Sequence, residues 1–454
     1  MLSGIHNIHF IGIGGAGMSA LAHVLCERGF HVSGSDKNAG GICEKLKALR
    51  AVVYQGHASG QVNGADAVVI SSAIHPDNCE LVAAKEQGIK VMHRSDVLAE
   101  LLNHADGVAV AGAHGKTTTS AMLSCIAAQS GIDPTIVIGG EVTSLGGNAR
   151  SGKGRYVIAE ADESDGSFLK FYPLYALVTN IENDHMDHYG SEENIYAAFK
   201  QFVAVLCMDN PKLRRLAQET ETRVISYGID DEQADYVAKD IVYHTGGTDY
   251  KVYKNGSLFA EVQLIVPGRH NVLNSLGALA CAVEMGIKTD SILKALKEFT
   301  GAHRRFETKG RVNGVWVVDD YAHHPTEIGV TLKAALQTKP QRLICVFQPH
   351  RYTRTQLLFN EFCACFKGCD KLIVTDIYAA SEDPIEGVNS QKLAEGIKET
   401  SGVDVEYVPS MADIESYLAA NARTGDLVMT IGAGDVYKVG EALVADLQRS
   451  NENV

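Results

Sequence analysis

Short apolar segments alternate with longer amphipathic segments along most of the chain. The apolar segments are rich in β-branched residues and include IHFIGIG, AVVISS, GVAVAGA, YVIAEA, YALVTNI, VWVVDD, RLICVFQ and DLVMTIGAG. This alternation is typical of β-strands that are connected by helices and pair in mostly parallel sheets. The pattern therefore predicts an α/β fold.

Residues 222–266 have a different pattern, with polar and apolar residues alternating more strictly. The segment KNGS within it has the Asn-Gly pair that is typical of a two-residue β-turn. We expect antiparallel hairpins in this part of the chain.

The chain has 454 residues, and at roughly 150 residues per domain this length suggests about three domains. Two breaks in the pattern fit that number. The helical segment SDVLAELL ends before 103–107, and SILKALKEF ends before 301–306. We predict domains at 1–104, 105–302 and 303–454, joined by short connections.

The composition argues against two classes of protein, those that bind nucleic acids and those that span membranes. Hydrophobic residues make up 45% and charged residues 21% of the chain, and the net charge is -14. Such a chain lacks the basic surface that binds a nucleic acid, so we expect no nucleic acid partner. No apolar run reaches the length of about eighteen residues that a membrane span needs. The start, MLSGIHNIHFIGIGG, reads as the beginning of a fold rather than as a signal peptide.

The ten cysteines are scattered through apolar segments, as expected for reduced thiols in a cytoplasm. Cys363, Cys365 and Cys369 lie closer together, but NEFCACFKGCD lacks paired CxxC spacing. A metal site is one reading of this segment, and the end of a helix is the simpler one.

A first glycine-rich turn follows the segment IHFIG. Gly12, Gly14 and Gly17 match the pattern G-x-G-x-x-G, and a helix is predicted from about Met18. Asp36 ends the next predicted strand, where a nicotinamide-binding domain places its ribose ligand. The turn could bind a dinucleotide or another pyrophosphate, or the glycines could only allow close packing of strand and helix.

A second glycine-rich turn lies in GVAVAGAHGKTTTSAML. Backbone N–H groups of such a turn surround phosphate oxygens, while Lys116 supplies a positive charge and Thr117 a hydroxyl ligand for Mg²⁺. The full P-loop pattern would need glycine at position 110, which is Val110. Strand, glycine turn, GKTTT and helix in this order still predict a nucleotide site.

Acidic, amide and imidazole side chains end the next two predicted strands. They are Glu160, Asp162, Glu163 and Asp165 after YVIAEA, and Asn180, Asp184, His185 and His188 in TNIENDHMDHYG. A solvated acidic turn is the plain alternative. Beside the lysine turn, however, these hard ligands favour a site for magnesium and a nucleotide at one sheet edge.

With these motifs in place, the sequence resembles the Mur ligase family over essentially its whole length. The matching segments are GAHGKTTT, AEADESD, TNIENDHMDHYG, GRHNVLNSLGA, RRFE, DDYAHHPTE and QPHRYTRT. Three segments, GIGGAGMSALA, DDYAHHPTE and QPHRYTRT, resemble the branch that adds L-alanine. The resemblance implies ATP-dependent ligation of L-alanine to UDP-N-acetylmuramate through an acyl-phosphate. It also implies a Rossmann-like first domain, a P-loop ATPase-type central domain with a mixed sheet, and a Rossmann-like third domain that closes over the site.

The resemblance also implies roles for individual residues. Binding of the UDP-sugar falls to Gly12, Gly14, Gly15, Ala16, Gly17, Met18, Ser19, Ser35, Asp36 and Ser71. Binding of ATP falls to Gly112, Ala113, His114, Gly115, Lys116, Thr117, Thr118, Asn271, Asn274, Arg305, Asp320 and Tyr321. The magnesium ligands are Thr117, Glu160 and His185, for two Mg²⁺ ions. The catalytic and alanine-binding set is Lys116, His323, His350, Arg351 and Arg354.

Local chemistry adds detail to this set. Arg351 and Arg354 would share a face if their segment were helical, and arginine suits a carboxylate. A surface basic patch is the alternative. His323 could accept a proton from the alanine ammonium, or His323 and His324 could only cap the turn before Pro325.

Two departures from the family pattern stand out. Some members carry a carbamylated lysine beyond the metal histidine, and Lys200 lies at about that distance, although the alignment around YAAFKQF does not establish it. The passage before VAVLC is also shorter than the family pattern.

Rival functions are a recycling ligase that adds a tripeptide, another Mur ligase, a nicotinamide dehydrogenase and a regulatory nucleotide-binding protein. We expect a cytoplasmic monomer or homodimer.

Overall fold

The structure contains two compact units. The computed structural model describes residues 2, 4–38, 40–161, 166–182, 196, 205–244, 246–380 and 382–452. One unit comprises Met1–Asp240, Tyr250–Val262 and Leu273–Phe299, and the other comprises Ile241–Asp249, Gln263–Val272 and Thr300–Val454. The first two predicted domains thus fall largely in one unit, and the division at residue 104 stays a prediction.

The first sheet has five parallel strands. They are β1 (Asn7–Ile11), β2 (His31–Asp36), β3 (Val52–Gln55), β4 (Ala67–Ile70) and β5 (Lys90–His93). The helices between them are α1 (Ala16–Glu27), α2 (Gly41–Ala48), α3 (Cys79–Glu86) and α4 (Arg94–Asn103). The order β3-β2-β1-β4-β5 reverses direction between β1 and β4. Ligands of such sheets bind outside the carboxyl ends of the strands at this switch point, which is where the first glycine turn lies.

The second sheet has ten strands. They are β6 (Asp106–Ala111), β7 (Thr135–Val142), β8 (Gly147–Arg150), β9 (Tyr156–Glu160), β10 (Tyr175–Val178), β11 (Val205–Cys207), β12 (Ile225–Gly228), β13 (Tyr236–His244), β14 (Gly247–Lys254) and β15 (Ser257–Leu264). Their order is β15-β14-β13-β12-β11-β10-β6-β9-β7-β8. The central strands β6, β9 and β10 pair in parallel, whereas β7 and β8 form an antiparallel hairpin. The sheet is therefore mixed, as the resemblance implied.

Within the residues that the structure describes, four helices accompany this sheet along the chain. They are α5 (Lys116–Gln129), α6 (Pro211–Glu219), α7 (Arg269–Glu284) and α8 (Thr289–Glu298). Helix α5 follows β6 directly, and most of its length is buried. Its first residues, Lys116 and Thr117, therefore lie at the carboxyl edge of the sheet.

The predicted hairpins are only partly correct. Asn255 and Gly256 connect β14 to β15 with positive φ angles of 49° and 79°, the conformation of the tight turn expected for KNGS. Strand β12, in contrast, pairs with β13 in parallel. The connection between them is a longer loop, which the Asp209 carboxylate holds by accepting hydrogen bonds from the Ile229 and Asp230 N–H groups.

The third sheet has six strands with helices on both faces. The strands are β16 (Glu307–Val312), β17 (Val315–Asp320), β18 (Arg342–Phe347), β19 (Lys371–Val374), β20 (Asp404–Tyr407) and β21 (Asp426–Ile431). Their order is β16-β17-β21-β18-β19-β20, and only the β16–β17 pair is antiparallel. The central strand β21 is buried along its whole length, as expected for a parallel strand that is covered on both faces.

The helices of this part of the chain form two apolar layers on that sheet. They are α9 (Pro325–Gln337), α10 (Tyr352–Leu357), α11 (Phe359–Cys365), α12 (Ser390–Ser401), α13 (Met411–Asn421) and α14 (Tyr437–Glu452). Residues of α9, α11 and α12 belong to one buried cluster, and residues of α13 and α14 belong to another. Helix α11 ends at Cys365, so the simpler reading of the cysteine segment is confirmed.

No helix that the structure describes combines the length and hydropathy of a membrane span.

Candidate active site

The turn after β6 can be formed only with glycine at two positions. Gly112 and Gly115 have φ angles of 127° and 84°, which strain any residue with a side chain. A Cβ atom at Gly112 would lie 2.2 Å from Thr179 Oγ1, and one at Gly115 would lie 2.5 Å from Asn274 Oδ1. Because Gly115 is also the N-cap of α5 and has no side chain to cap the helix, the first N–H groups of α5 are suited to an anion.

Lys116 lies folded over this turn. Its Nζ donates hydrogen bonds to the carbonyl oxygens of Gly112 at 2.6 Å and Ala113 at 3.2 Å. Thr117 and Thr118 follow in the first turn of α5, both partly exposed. The ammonium group is thus held against the backbone of the turn.

The turn is held from β10 by the side chain of Asn180. Its Oδ1 accepts a hydrogen bond from the His114 N–H at 2.9 Å, and its Nδ2 donates to the His114 carbonyl at 2.8 Å. The Thr179 hydroxyl lies 2.6 Å from the same carbonyl oxygen. Sequence reasoning placed Asn180 at this edge but gave it no role. The residue pair Thr-Asn at the end of a strand beside β6 was the available signal.

Replacing Asn180 by alanine should weaken ATP binding by about tenfold, since a buried group left without its hydrogen bond costs about 1–3 kcal/mol. Titration of ATP into the variant measures the loss. Asn103→Ala is a matched control, because Asn103 joins the Lys170 carbonyl and the Tyr172 N–H in the same way, away from the turn. Equal ATP affinity of the two variants would contradict the role of Asn180.

Glu160 and Thr117 form a pair of oxygen ligands beside the turn. Strands β6 and β9 are neighbours, with Val110 opposite Glu160. The Thr117 hydroxyl donates to Glu160 Oε1 at 3.0 Å, and the Gly139 N–H donates to Oε2 at 2.8 Å. A hydroxyl and a carboxylate are hard ligands that fit Mg²⁺.

Other predicted ligands lie outside the described residues. These are Asp162, Glu163, Asp165, Asp184, His185 and His188, together with Lys200. Within the described ranges, no group of three or more His, Cys, Asp or Glu side chains is arranged to hold a metal ion.

Asn271 and Asn274 lie in the first turns of α7, and both are nearly fully buried. The Asn274 amide oxygen lies against Gly115. The Asn271 amide donates to the Pro267 carbonyl at 2.7 Å. Of the two, the structure places Asn274 at the second glycine turn.

The first glycine turn is shaped by the end of β2. The Ser35 carbonyl accepts hydrogen bonds from the N–H groups of Gly12 at 2.8 Å and Ile13 at 3.0 Å. Asp36 Oδ2 accepts from the Gly14 N–H at 2.9 Å. Gly12 has a φ of 80°. The loop after β4 also approaches, since a Cβ atom at Gly12 would lie 3.2 Å from Ile74, whose N–H bonds to the Ser71 carbonyl.

Helix α1 starts at this turn, with Gly15 as its N-cap. Ala16 and Gly17 form its first turn, where the Arg94 guanidinium would lie 3.3 Å from a Cβ atom at Gly17. Met18 and Ser19 are buried. The predicted residues of this turn therefore surround one helix N-terminus, with a cation beside it.

The hairpin β7–β8 holds both ends of α1. At the N-terminal end, Asn148 Nδ2 donates to the Ala16 carbonyl at 3.0 Å. At the other end, Glu27 accepts from the Ser151 N–H and Arg28 donates to Thr135 Oγ1. The two glycine turns consequently belong to one packed unit.

In the second unit, Arg304 is a buried cation. Its guanidinium donates to Asp319 Oδ2 at 2.8 Å and to the carbonyls of Gly434 at 2.9 Å and Gly432 at 2.6 Å. Its guanidinium carbon lies 5.0 Å from the Tyr321 ring centre. Sequence reasoning noted the RRFE segment but missed this role of Arg304.

Three predicted site residues lie around the buried pair of Arg304 and Asp319, namely Arg305, Asp320 and Tyr321. The Arg305 guanidinium carbon lies 5.5 Å from the Tyr321 ring centre. Asp320 accepts hydrogen bonds from the Phe306 and Ala322 N–H groups, both at 2.8 Å. Burial raises the pKa of Asp320 to about 6, although Arg305 and these two N–H groups act in the opposite direction.

His323 and His350 lie side by side, with ring centres 5.8 Å apart. His323 Nδ1 lies 2.9 Å from the Tyr321 carbonyl. Because a carbonyl only accepts, this nitrogen carries the proton and Nε2 is the basic one. Burial lowers the pKa of His323. Burial also lowers the pKa of His350 to about 4, with further contributions from His323, Arg354 and Arg351, so both imidazoles are neutral near pH 7.

His324 has a structural role. It is the N-cap of α9, where its side chain accepts from the Thr326 N–H and Glu327 completes a capping box. For His324, the reading as a capped turn before Pro325 is confirmed.

Arg354 and Arg351 flank His350. Arg354 Nη1 lies 3.2 Å from His350 Nδ1. Arg351 precedes α10 with a left-handed φ of 71°, and its N–H donates to the Tyr378 carbonyl at 2.9 Å. Arg351 is the N-cap of α10 and lies outside the helix that contains Arg354, so the condition under which the two arginines would share a helical face is not met. They still meet around His350.

Tyr378 is a residue of this cluster that sequence reasoning missed. Its ring stacks on His350 with ring centres 5.6 Å apart. The tyrosine follows β19 in the segment TDIYAASED. A polar segment at the carboxyl end of a strand was the signal that marked it.

Three family models match the chain in succession. They are the Mur ligase family catalytic domain over residues 7–106, the Mur ligase middle domain over 110–282, and the Mur ligase glutamate ligase domain over 304–434. Together they account for most of the sequence.

Individual proteins are similar over nearly the whole chain. The UDP-N-acetylmuramate--L-alanine ligase of Pelotomaculum thermopropionicum is 46% identical over 98% of each chain. Among solved structures, the UDP-N-acetylmuramate-alanine ligase from Thermotoga maritima has a TM-score of 0.85 and 28% identity, covering 98% of this chain and 99% of that chain. A murein peptide ligase from Psychrobacter arcticus has a TM-score of 0.70 and 25% identity, with coverages of 97% and 98%.

Proposed function

The chain belongs to the Mur ligase family, and from this premise we propose that it ligates L-alanine to UDP-N-acetylmuramate. The reaction uses ATP and gives UDP-N-acetylmuramoyl-L-alanine, ADP and phosphate, a step of peptidoglycan synthesis in the cytoplasm. The observation that carries the proposal is the meeting of Lys116, Thr117 and Glu160 at one sheet edge. The 46% identity to an L-alanine ligase supports the substrates.

The first chemical step makes the carboxylate reactive. A carboxylate is a poor electrophile, so its oxygen first takes the γ-phosphoryl group of ATP, and ADP leaves. Lys116 moves from the carbonyls of Gly112 and Ala113 to the transferring phosphoryl group, where its charge is needed. The turn N–H groups bind the neighbouring phosphate oxygens, while Asn180 keeps the turn in shape.

Magnesium neutralises phosphate charge when it is bound to such a site. Thr117 and Glu160 would hold it, together with His185. We propose two Mg²⁺ ions. ATP contacts by Asn271, Arg305, Asp320 and Tyr321 are part of the same proposal.

The second step forms the amide. The alanine nitrogen attacks the acyl-phosphate carbon, the carbon–oxygen bond to phosphate breaks, and the nitrogen loses a proton. His323 Nε2 is suited to accept that proton because the imidazole is neutral and its Nδ1 is fixed by the Tyr321 carbonyl. Arg351 and Arg354 would bind the alanine carboxylate as a fork of donors.

The first glycine turn would bind the UDP diphosphate through Gly12, Gly14, Gly15 and Gly17, with Ser35, Asp36 and Ser71 nearby. Arg94 beside Gly17 favours an anion at this position. We keep the domains 1–104, 105–302 and 303–454 as part of the proposal, with a monomer or homodimer as the assembly.

One assay tests this function against its rival. Phosphate release is measured with UDP-N-acetylmuramate, ATP and Mg²⁺, and with L-alanine, glycine, L-serine or the murein tripeptide as the nucleophile. L-alanine should give the highest kcat/KM. Turnover with the tripeptide alone would favour a recycling ligase like the murein peptide ligase that shares the fold, and ATP binding without turnover would favour a regulatory protein.

A further inference from the structure

A buried carboxylate lies behind the first glycine turn. Glu80 is on the first turn of α3 and has no exposed surface. Its Oε2 accepts from the Ser35 hydroxyl at 2.5 Å and lies 2.9 Å from His57 Nδ1, while its Oε1 lies 3.4 Å from His9 Nε2. The carboxylate thus joins α3 to β1, β2 and the loop after β3.

The surroundings of Glu80 favour its ionised form. Burial alone would raise the pKa of Glu80, but its contacts with His9, Ser35 and His57 outweigh burial and lower the pKa. A charge in the interior is costly and is often replaced by apolar residues without loss of fold. Its presence here therefore calls for a reason besides packing.

The reason lies in what Ser35 supports. The Ser35 carbonyl accepts hydrogen bonds from the N–H groups of Gly12 and Ile13. The adjacent Asp36 carboxylate accepts a hydrogen bond from the N–H of Gly14. Gly34 lets the turn come this close, since a Cβ atom there would lie 2.7 Å from the Phe10 carbonyl oxygen. The end of β2 is thus the surface on which the turn rests, and Glu80 fixes that end through the Ser35 hydroxyl.

The hydrogen bonds around Glu80 also hold its neighbours in place. His9 Nδ1 lies 2.9 Å from the Ser33 hydroxyl, and His57 Nδ1 lies 2.8 Å from the Ser35 hydroxyl. Ser33 and Ser35 both belong to β2, so the network holds this strand at two points. A shift of β2 would break several of these bonds at once.

We propose that Glu80 is a positioning residue for the UDP-sugar, holding the glycine turn ready for a nucleoside diphosphate through Ser35. The proposal rests on the proposed function in one respect, namely that the first glycine turn binds the UDP moiety. Glu80 itself does not contact the ligand, so its effect should be confined to binding at this turn.

The test compares Glu80→Gln with wild type, using UDP and UDP-N-acetylmuramate as titrants. Loss of one charge-assisted hydrogen bond should raise both dissociation constants by about tenfold. The KM values for ATP and L-alanine should stay within about twofold, because these two substrates are assigned to other residues than those of the first glycine turn. Glu86→Gln, an exposed change on the same helix, is the matched control and should bind like wild type.

Two further variants separate positioning from general stability. Glu80→Asp keeps the charge and should recover part of the affinity. Ser35→Ala removes the hydrogen bond between Ser35 and Glu80. Adding Glu80→Gln to Ser35→Ala should therefore weaken UDP binding little further, whereas two independent effects on the binding free energy would add. Should Glu80→Gln fail to fold, Glu80→Asp decides in its place: UDP binding weaker than wild type supports the proposal, and wild-type affinity overturns it.

The outcomes distinguish this proposal from the function itself. Wild-type UDP affinity in Glu80→Gln, or an equal rise in all three substrate constants, would overturn the positioning role while leaving the ligase function standing. A wild-type protein that binds UDP but forms no product would refute the ligase function, and weaker UDP binding by Glu80→Gln would then still support the positioning role.

Discussion

Lys116→Ala should abolish ADP formation, with a fall in kcat of roughly 10²–10³-fold or more, as for loss of a group that stabilises transition-state charge. The ammonium already lies inside the glycine turn, 2.6 Å from the Gly112 carbonyl. Lys116 is the one Lys or Arg side chain in the segment GAHGKTTT. Coupled measurement of ADP release gives kcat, and calorimetry should show UDP-N-acetylmuramate binding largely unchanged, because the other glycine turn is intact.

Two controls sharpen this experiment. Lys116→Met keeps the apolar part of the side chain and should be equally inactive if charge is what matters. Lys153→Ala removes an exposed lysine of the same unit and should retain full activity. Substantial turnover by either Lys116 variant would count decisively against the ligase mechanism.

Arg304→Met should destabilise the second unit by about 3–5 kcal/mol, because removing one partner of a buried ion pair leaves the other charge unpaired. The substitution removes the guanidinium partner of Asp319, which has no exposed surface and keeps its hydrogen bond from the Thr430 hydroxyl. It also removes the donors to the Gly432 and Gly434 carbonyls. The single tryptophan, Trp316 in β17, allows urea unfolding of this unit to be followed by fluorescence.

The adjacent arginine is the natural comparison. Arg305 lies partly exposed, with Nη1 3.9 Å from Glu327, and exposed ion pairs contribute about 0–1 kcal/mol. Arg305→Met should therefore leave the unfolding midpoint nearly unchanged. If both variants unfolded at the same urea concentration, Arg304 would have no special part in stability.

The sequence predicted the general fold because apolar strands and amphipathic helices have distinct periods. It was less successful with antiparallel pairs. Strand β16 and its hairpin with β17 were overlooked, although Asn313 and Gly314 connect them with φ angles of 54° and 75°. The Asn-Gly signal was present in RVNGVW, but the charged segment ETKGRV does not look apolar enough for a strand.

The hairpin β7–β8 was missed for another reason. Its second strand, GNAR, is polar and short, so local pattern gives little indication of it. Gly152 and Gly154 allow the segment before β7 to approach closely. A Cβ atom at either glycine would lie within 2.0 Å of a carbonyl oxygen of that segment, that of Asp133 or Ile132. Such long-range fits are decided by tertiary packing, which no local window contains.

The candidate site residues also divide into those that a local motif reveals and those that depend on tertiary contacts. Lys116 and Thr117 could be found because a glycine turn followed by a helix is a local motif. The roles of Asn180, Arg304, Tyr378 and Glu80 could not be read from a local motif, because each role depends on a partner from a distant segment. Asn180 holds His114 from 66 positions away, and Glu80 meets Ser35 from 45 positions away.

Fastening α1 to the β7–β8 hairpin has a practical consequence for truncated genes. A recombinant piece ending at residue 104 would keep the first glycine turn but lose Asn148, Ser151 and Thr135, which satisfy both ends of the helix. The side of α1 that packs on β7 and β8 would then meet water. The smallest fragment suited to studying UDP recognition in isolation is therefore the entire N-terminal unit, with the second glycine turn included.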